Sequence, residues 1–143
     1  MPFSFHVVNV LLHAVICILV HRENLSLFCP KKSFVSRGSR VEEDGRVWAL
    51  FSSLLFAVHP VHCEVVSGLV GRADLLCSVF VLLAVAKYRS WAESTDTVTV
   101  GSSFGAMATV FMLTAIAMLS KEYGITALVS VQYWKSFFPR NNF

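Results

Sequence analysis

Long apolar runs, separated by short polar stretches, decide what this chain can become. Residues 3–20 and 100–119 are each apolar almost throughout. At about 1.5 Å of rise per residue, either run can cross the hydrocarbon of a bilayer as a helix. Residues 75–86 and 123–138 form two further runs, and residues 47–58 a shorter one, about two thirds of a span. A water-soluble domain of 143 residues would carry more than 15% charged residues and fewer than 55% hydrophobic ones. The expected fold class is therefore all-α: a polytopic membrane protein of about five membrane-embedded helices.

Orientation follows from the cations. Alternating the sides of the five runs puts Arg22, Lys31, Lys32, Arg37, Arg40, Arg46, Lys87, Arg89, Lys135 and Arg140 together, and leaves only Arg72 and Lys121 opposite. Cytosolic loops carry the excess of Lys and Arg, so the crowded side reads as cytosolic. The expected organisation is a membrane helix over 1–21, a cytosolic loop over 22–46, and two membrane helices over 47–91 joined by a luminal turn at 59–74. A cytosolic linker over 92–99 follows, then two membrane helices over 100–143, with a luminal turn at 120–122 and a short tail. The basic residues of 22–46 could suggest nucleic acid. A loop obeying the positive-inside rule is the simpler reading, and no nucleic-acid partner is expected. The sequon Asn24-Leu25-Ser26 falls on the cytosolic side and is expected to stay unmodified.

Residues 59–74 concentrate the polar chemistry: His59, His62, Glu64, Arg72 and Asp74, with Pro60, Gly68 and Gly71 among them. Ionisable groups held at a membrane are costly and are functional candidates. Pro60 either kinks the preceding helix or opens a new short one. On that short luminal, interfacial helix Val61, Val65, Val66, Leu69 and Val70 would share an arc, with Glu64, Ser67 and Gly71 opposite. His6, Asn9 and His13 fall on one face of the first helix and should turn toward protein. Gly101, Gly105, Ala106 and Ala108 would let helices approach closely. Lys87, Tyr88, Arg89 and Trp91 read as a cationic and aromatic membrane boundary, and so do Tyr133, Trp134, Lys135 and Arg140.

His59, His62 and Glu64 could supply metal ligands. On a helix, however, Glu64 lies roughly opposite His62, so no metal is expected. The four cysteines show neither zinc nor disulfide spacing.

Four segments in order then carry a resemblance. Val8-Asn9-Val10-Leu11-Leu12-His13, His59-Pro60-Val61-His62-Cys63-Glu64-Val65-Val66, Gly71-Arg72-Ala73-Asp74 and Ser120-Lys121-Glu122-Tyr123-Gly124-Ile125-Thr126 resemble the transmembrane-and-tetratricopeptide-repeat (TMTC) family. Position 63 is usually Thr in that pattern. The resemblance implies part of a GT-C-type glycosyltransferase fold in the endoplasmic reticulum membrane. It implies transfer of mannose from dolichyl-phosphate-mannose to Ser or Thr of cadherin-type domains. The partners implied are membrane lipid, the dolichyl-phosphate donor and a protein acceptor reached through other regions. No cofactor is implied. The family's acidic catalytic residue belongs to an upstream luminal loop, and its repeat domain lies further on. The chain therefore reads as an incomplete membrane portion, with no catalytic base of its own assigned.

In that frame Arg72 and Lys121 would bind the donor phosphate and stabilise the charge growing on it as it leaves. His59, His62, Glu64, Asp74 and Glu122 would support the site. Plainer roles stay open: an Arg72–Asp74 pair, a Lys121–Glu122 pair, and Asp74 as a helix cap. Two rival functions also stay open, a channel or transporter fragment and a non-catalytic membrane interaction protein.

Overall fold

A computed structural model describes residues 2–29, 39–68, 70–93 and 100–137. The described residues form α1 (Pro2–Phe28), α2 (Ser39–Ala57), α3 (Val61–Ser67), α4 (Gly71–Glu93), α5 (Val100–Ser120), a 3-10 turn (Glu122–Ile125) and α6 (Thr126–Phe137). The all-α, polytopic expectation holds, with three to four candidate spans among the described residues. Three stretches are long and apolar enough to cross a membrane, in α1, α4 and α5. A fourth appears only if α2 and α3, bent by 55°, count as one broken span. The reasons are local. The first turns of α2 carry Glu42, Glu43, Asp44 and Arg46, leaving it little more than its second half as apolar helix. The 12 residues of α6 rise about 18 Å, well short of the hydrocarbon thickness.

The surface suits lipid better than water. Leu119 is 87% exposed and Phe104 77%. In water, bare side chains of that size would leave much of their burial free energy unrealised. Beside acyl chains they lose nothing.

By contacts the chain divides into two units, Met1–Leu75 and Leu76–Phe143. In the first, α1 lies along α2 and touches α3. Ile16 and Ala49 are buried there, but polar groups supply the specific joins. His21 Nδ1 lies 3.1 Å from Ser53 Oγ. The Asn24 amide donates to Ser52 Oγ at 3.3 Å and to Ser53 Oγ at 3.1 Å. Those contacts explain why α1 runs on to Phe28 where a loop was expected from Arg22. His21 and Asn24 bond to α2, while Ser26 Oγ donates to the Arg22 carbonyl within α1 and Arg22 stays exposed. Residues 39–46 are likewise helical, with Arg46 paired to Glu42 one turn back. The expectations for Lys31, Lys32, Arg37, Leu69, the linker from residue 94 to 99 and the tail with Arg140 lie outside the described residues.

The second unit is built differently. Ala84, Tyr88 and Ala92 of α4, Val110 of α5 and Ala127 of α6 form its buried cluster, with Trp91, Met107 and Trp134 packed around it. Tyr88 and Arg89, expected at a membrane boundary, are packed against protein, with Arg89 only 8% exposed. Its guanidinium pairs with Glu93 at 3.3 Å and lies 5.9 Å from the Trp134 ring. Gly105, expected at a helix contact, faces open space, and Ala108 is exposed. The close approach is made instead by Gly124, where an added Cβ would overlap the backbone of Ala117 and Met118.

Candidate functional site around Arg72

The turn at Pro60 is a true break. The last i→i−4 hydrogen bond of α2 runs from Val58 N–H to the Leu54 carbonyl, a single i→i−3 bond from His59 N–H to the Phe56 carbonyl follows, and α3 starts behind Pro60. Proline has no N–H to continue the ladder, and its φ of −61° suits the start of a new helix. His59 completes the join, because its Nδ1 accepts the N–H of Val61 at 3.3 Å. That bond makes His59 Nδ1 an acceptor and leaves any ring proton on Nε2. The short helix expected after Pro60 is present but ends at Ser67, and Gly71 already opens α4. Val70 therefore leaves the expected arc. Val65 and Val66 are half-buried, while Val61, Glu64 and Ser67 are exposed.

His62 points into the join. Its ring centroid lies 4.5 Å from that of Phe56 and 5.0 Å from that of His13. His59 stands 6.1 Å away, edge-on. His13 Nε2 approaches the Ala57 carbonyl at 3.5 Å. Burial, followed by the neighbouring charges of His13 and His59, lowers the His62 pKa. This environment favours the neutral His62 ring. Glu64 does not join it, and among the described residues no three His, Cys, Asp or Glu side chains come together as metal ligands would.

Arg72, in the first turn of α4, reaches back to α1. Its Nε donates to Asn9 Oδ1 at 3.3 Å and its Nη2 to the Phe5 carbonyl at 3.3 Å. The guanidinium lies 4.7 Å from the centre of the Phe5 ring. No Arg72–Asp74 pair forms, and among the described residues Arg72 meets no carboxylate. Its charge is held in place by neutral groups alone. Gly71 sets the approach: a Cβ there would overlap the Val65 carbonyl, so only glycine lets α4 begin this close to α3.

The residue that the sequence-based site omitted is Asn9. Only 2% exposed, it is among the most buried polar residues described. Its Nδ2 donates to the carbonyls of Val66 and Gly68, both at 3.1 Å. Its placement on the polar stripe of α1 was the available signal. Of that stripe, Asn9 and His13 turn inward and His6 is exposed.

The second polar turn has its own geometry. After α5 ends at Ser120, Lys121 is extended (φ −161°, ψ 146°), and the 3-10 turn brings Gly124 N–H to the Lys121 carbonyl at 2.9 Å. Lys121 is half-buried, with Nζ 5.6 Å from the Tyr123 ring. Glu122 is exposed and does not pair with it. Asp74 occupies the first turn of α4, where the helix dipole favours a negative charge.

Several helices long and apolar enough to span, with an arginine held among neutral acceptors at a helix join, define the class: a multi-pass helical membrane protein. Curated relatives narrow the class. The chain is 44% identical to human protein O-mannosyl-transferase TMTC4 over 128 residues, which are 89% of this chain and 17% of that protein. It is 40% identical to human protein O-mannosyl-transferase TMTC1 over 131 residues, 87% of this chain and 13% of that protein. It is 36% identical to Drosophila melanogaster protein O-mannosyl-transferase Tmtc2 over 132 residues, 90% of this chain and 12% of that protein. The chain belongs to the TMTC family, and it spans about a sixth or less of the length of these relatives. No protein-family model matches it, and no solved structure does.

Proposed function

We propose that this chain is part of the membrane domain of a protein O-mannosyltransferase of the endoplasmic reticulum, and that Arg72 binds the phosphate of its dolichyl-phosphate-mannose donor. The observation that carries the reading is the Arg72 guanidinium, fixed in position but facing no carboxylate. A cation held this way keeps its charge for an incoming anion. In transfer to a Ser or Thr hydroxyl, the bond between mannose C1 and the donor phosphate oxygen breaks, and the hydroxyl oxygen bonds C1. The leaving phosphate gains charge, which a fixed guanidinium stabilises. The hydroxyl proton passes to a base that none of these residues is assigned to provide.

Lys121 is the second cation in this reading, and His59, His62, Glu64, Asp74 and Glu122 border the two polar turns. The distribution of Lys and Arg supports a luminal position for both turns, with α3 lying in the interface. A five-span, partial GT-C arrangement and a cadherin-type acceptor complete the proposal.

The test is a chimera in which this segment replaces the 128 matching residues of human TMTC4. Arg72→Ala and Lys121→Ala are made separately, with insertion checked, and O-mannose is measured on a cadherin domain. Both changes should lower transfer by about tenfold or more. Full transfer by a well-inserted Arg72→Ala chimera sinks the phosphate reading.

A further inference from the structure

We infer that Asn9 is a positioning residue that sets Arg72 for the donor phosphate, an inference that rests on the phosphate reading of Arg72. The argument starts from what a buried amide can do. Asparagine offers two donors and one acceptor oxygen. At Asn9 both donors are committed, to the Val66 carbonyl at the end of α3 and to the Gly68 carbonyl just beyond it. Carbonyls at a helix end have no partner within the helix and seek donors elsewhere. With Nδ2 so engaged, Oδ1 faces Arg72 and accepts its Nε–H. The reversed amide would set its oxygen against two carbonyls and its NH₂ against an N–H, so the network admits one orientation.

Asn9 therefore ties the α3–α4 join to α1 and passes that position on to the guanidinium. Phe5, one turn earlier on α1, meets the same guanidinium with its carbonyl and its ring. Nε and Nη2 are thus occupied, and Nη1 makes no hydrogen bond among the described residues. An anion would be met by the Nη1 edge. The chemistry also explains why asparagine serves here where aspartate would not. A carboxylate at position 9 would repel the two carbonyls and cancel the Arg72 charge by pairing with it.

The test is a double-mutant cycle on this chain in lipid nanodiscs, with equilibrium binding of dolichyl phosphate as the readout. The variants are Asn9→Ala, Arg72→Ala and both together, each with its unfolding midpoint measured. Asn9→Ala should weaken binding about tenfold when Arg72 is present. It should change binding by less than about twofold once Arg72 is already alanine, because neighbouring residues that act as a unit are not additive. A purely structural Asn9 would give the same loss in both backgrounds, which overturns the inference and leaves the phosphate reading intact. No loss on Asn9→Ala does the same. Binding untouched by Arg72→Ala, or absent in the parent chain, overturns the phosphate reading and this inference with it. Where Asn9→Ala fails to insert, Asn9→Ser takes its place in the cycle. If neither inserts, Asn9 is a structural residue and the inference falls.

Discussion

The two units of this chain hold helices together by opposite means. In the first, the joins are polar: Asn9 to the end of α3, His21 and Asn24 to Ser52 and Ser53, Arg72 back to α1. In the second, small and aromatic residues close on one another, with Ala84, Ala92 and Ala127 letting Tyr88 and Val110 into a tight cluster. Acyl chains are as apolar as leucine, so burying apolar surface does little to join helices in a bilayer. What remains is hydrogen bonding between helices and close van der Waals packing. Each unit leans on one of them. The polar solution has a further consequence, since it places ionisable groups where a ligand can use them.

Several substitutions would break or sharpen this contrast. The largest effects should come from the two glycines at the turns. Gly71→Ala and Gly124→Ala each force a Cβ into backbone, and should cost at least about 2 kcal/mol in detergent-micelle unfolding. A milder loss at either would mean that the neighbouring helix can slide.

Next comes Asn9→Leu, which leaves two carbonyls and the Arg72 Nε without their partner and should cost about 2 kcal/mol. A neutral result would remove polar joining as the principle of the first unit. Acid should discriminate between the units as well. The folded His62 titrates below its ordinary value, so the folded state binds its proton less readily than the unfolded chain. The His62 contribution is intact above about pH 6.5 and is lost as pH falls through that value toward the lowered one. His62→Phe should flatten this slope, as read by unfolding midpoints between pH 7.5 and pH 5 (roughly the histidine range).

Ser53→Ala removes one interhelical partner and should cost only about 0.6 kcal/mol. Smallest, and opposite in sign, is Gly105→Ala. With open space around it, the gain in helix propensity should leave the chain unchanged or up to about 1 kcal/mol more stable.

The sequence made much of the first unit legible. The apolar run of α1 and the break at Pro60 followed from helical rise and from proline chemistry. The inward turn of Asn9 and His13 followed from their shared face. The limits are equally specific. Arg22 to Phe28 read as loop because polarity was taken for solvent, whereas Asn24 is polar toward Ser52 and Ser53. Arg89 read as a boundary cation, but its burial beside Glu93 and Trp134 was not legible from its neighbours in sequence. Gly105 and Gly124 are indistinguishable by residue type, and only the fold puts one in open space and the other against Ala117.

What the sequence determined by itself is the class: an all-α membrane chain, its breaks, and its kinship with the TMTC family. Those properties are local, because hydrophobic length and turn chemistry depend on residues a few positions apart. Tertiary structure alone decided which polar groups meet. The partners of Asn9 lie 57, 59 and 63 residues away along the chain. Helical periodicity names the face that a side chain presents, but not the helix end or the guanidinium brought to that face when the chain folds.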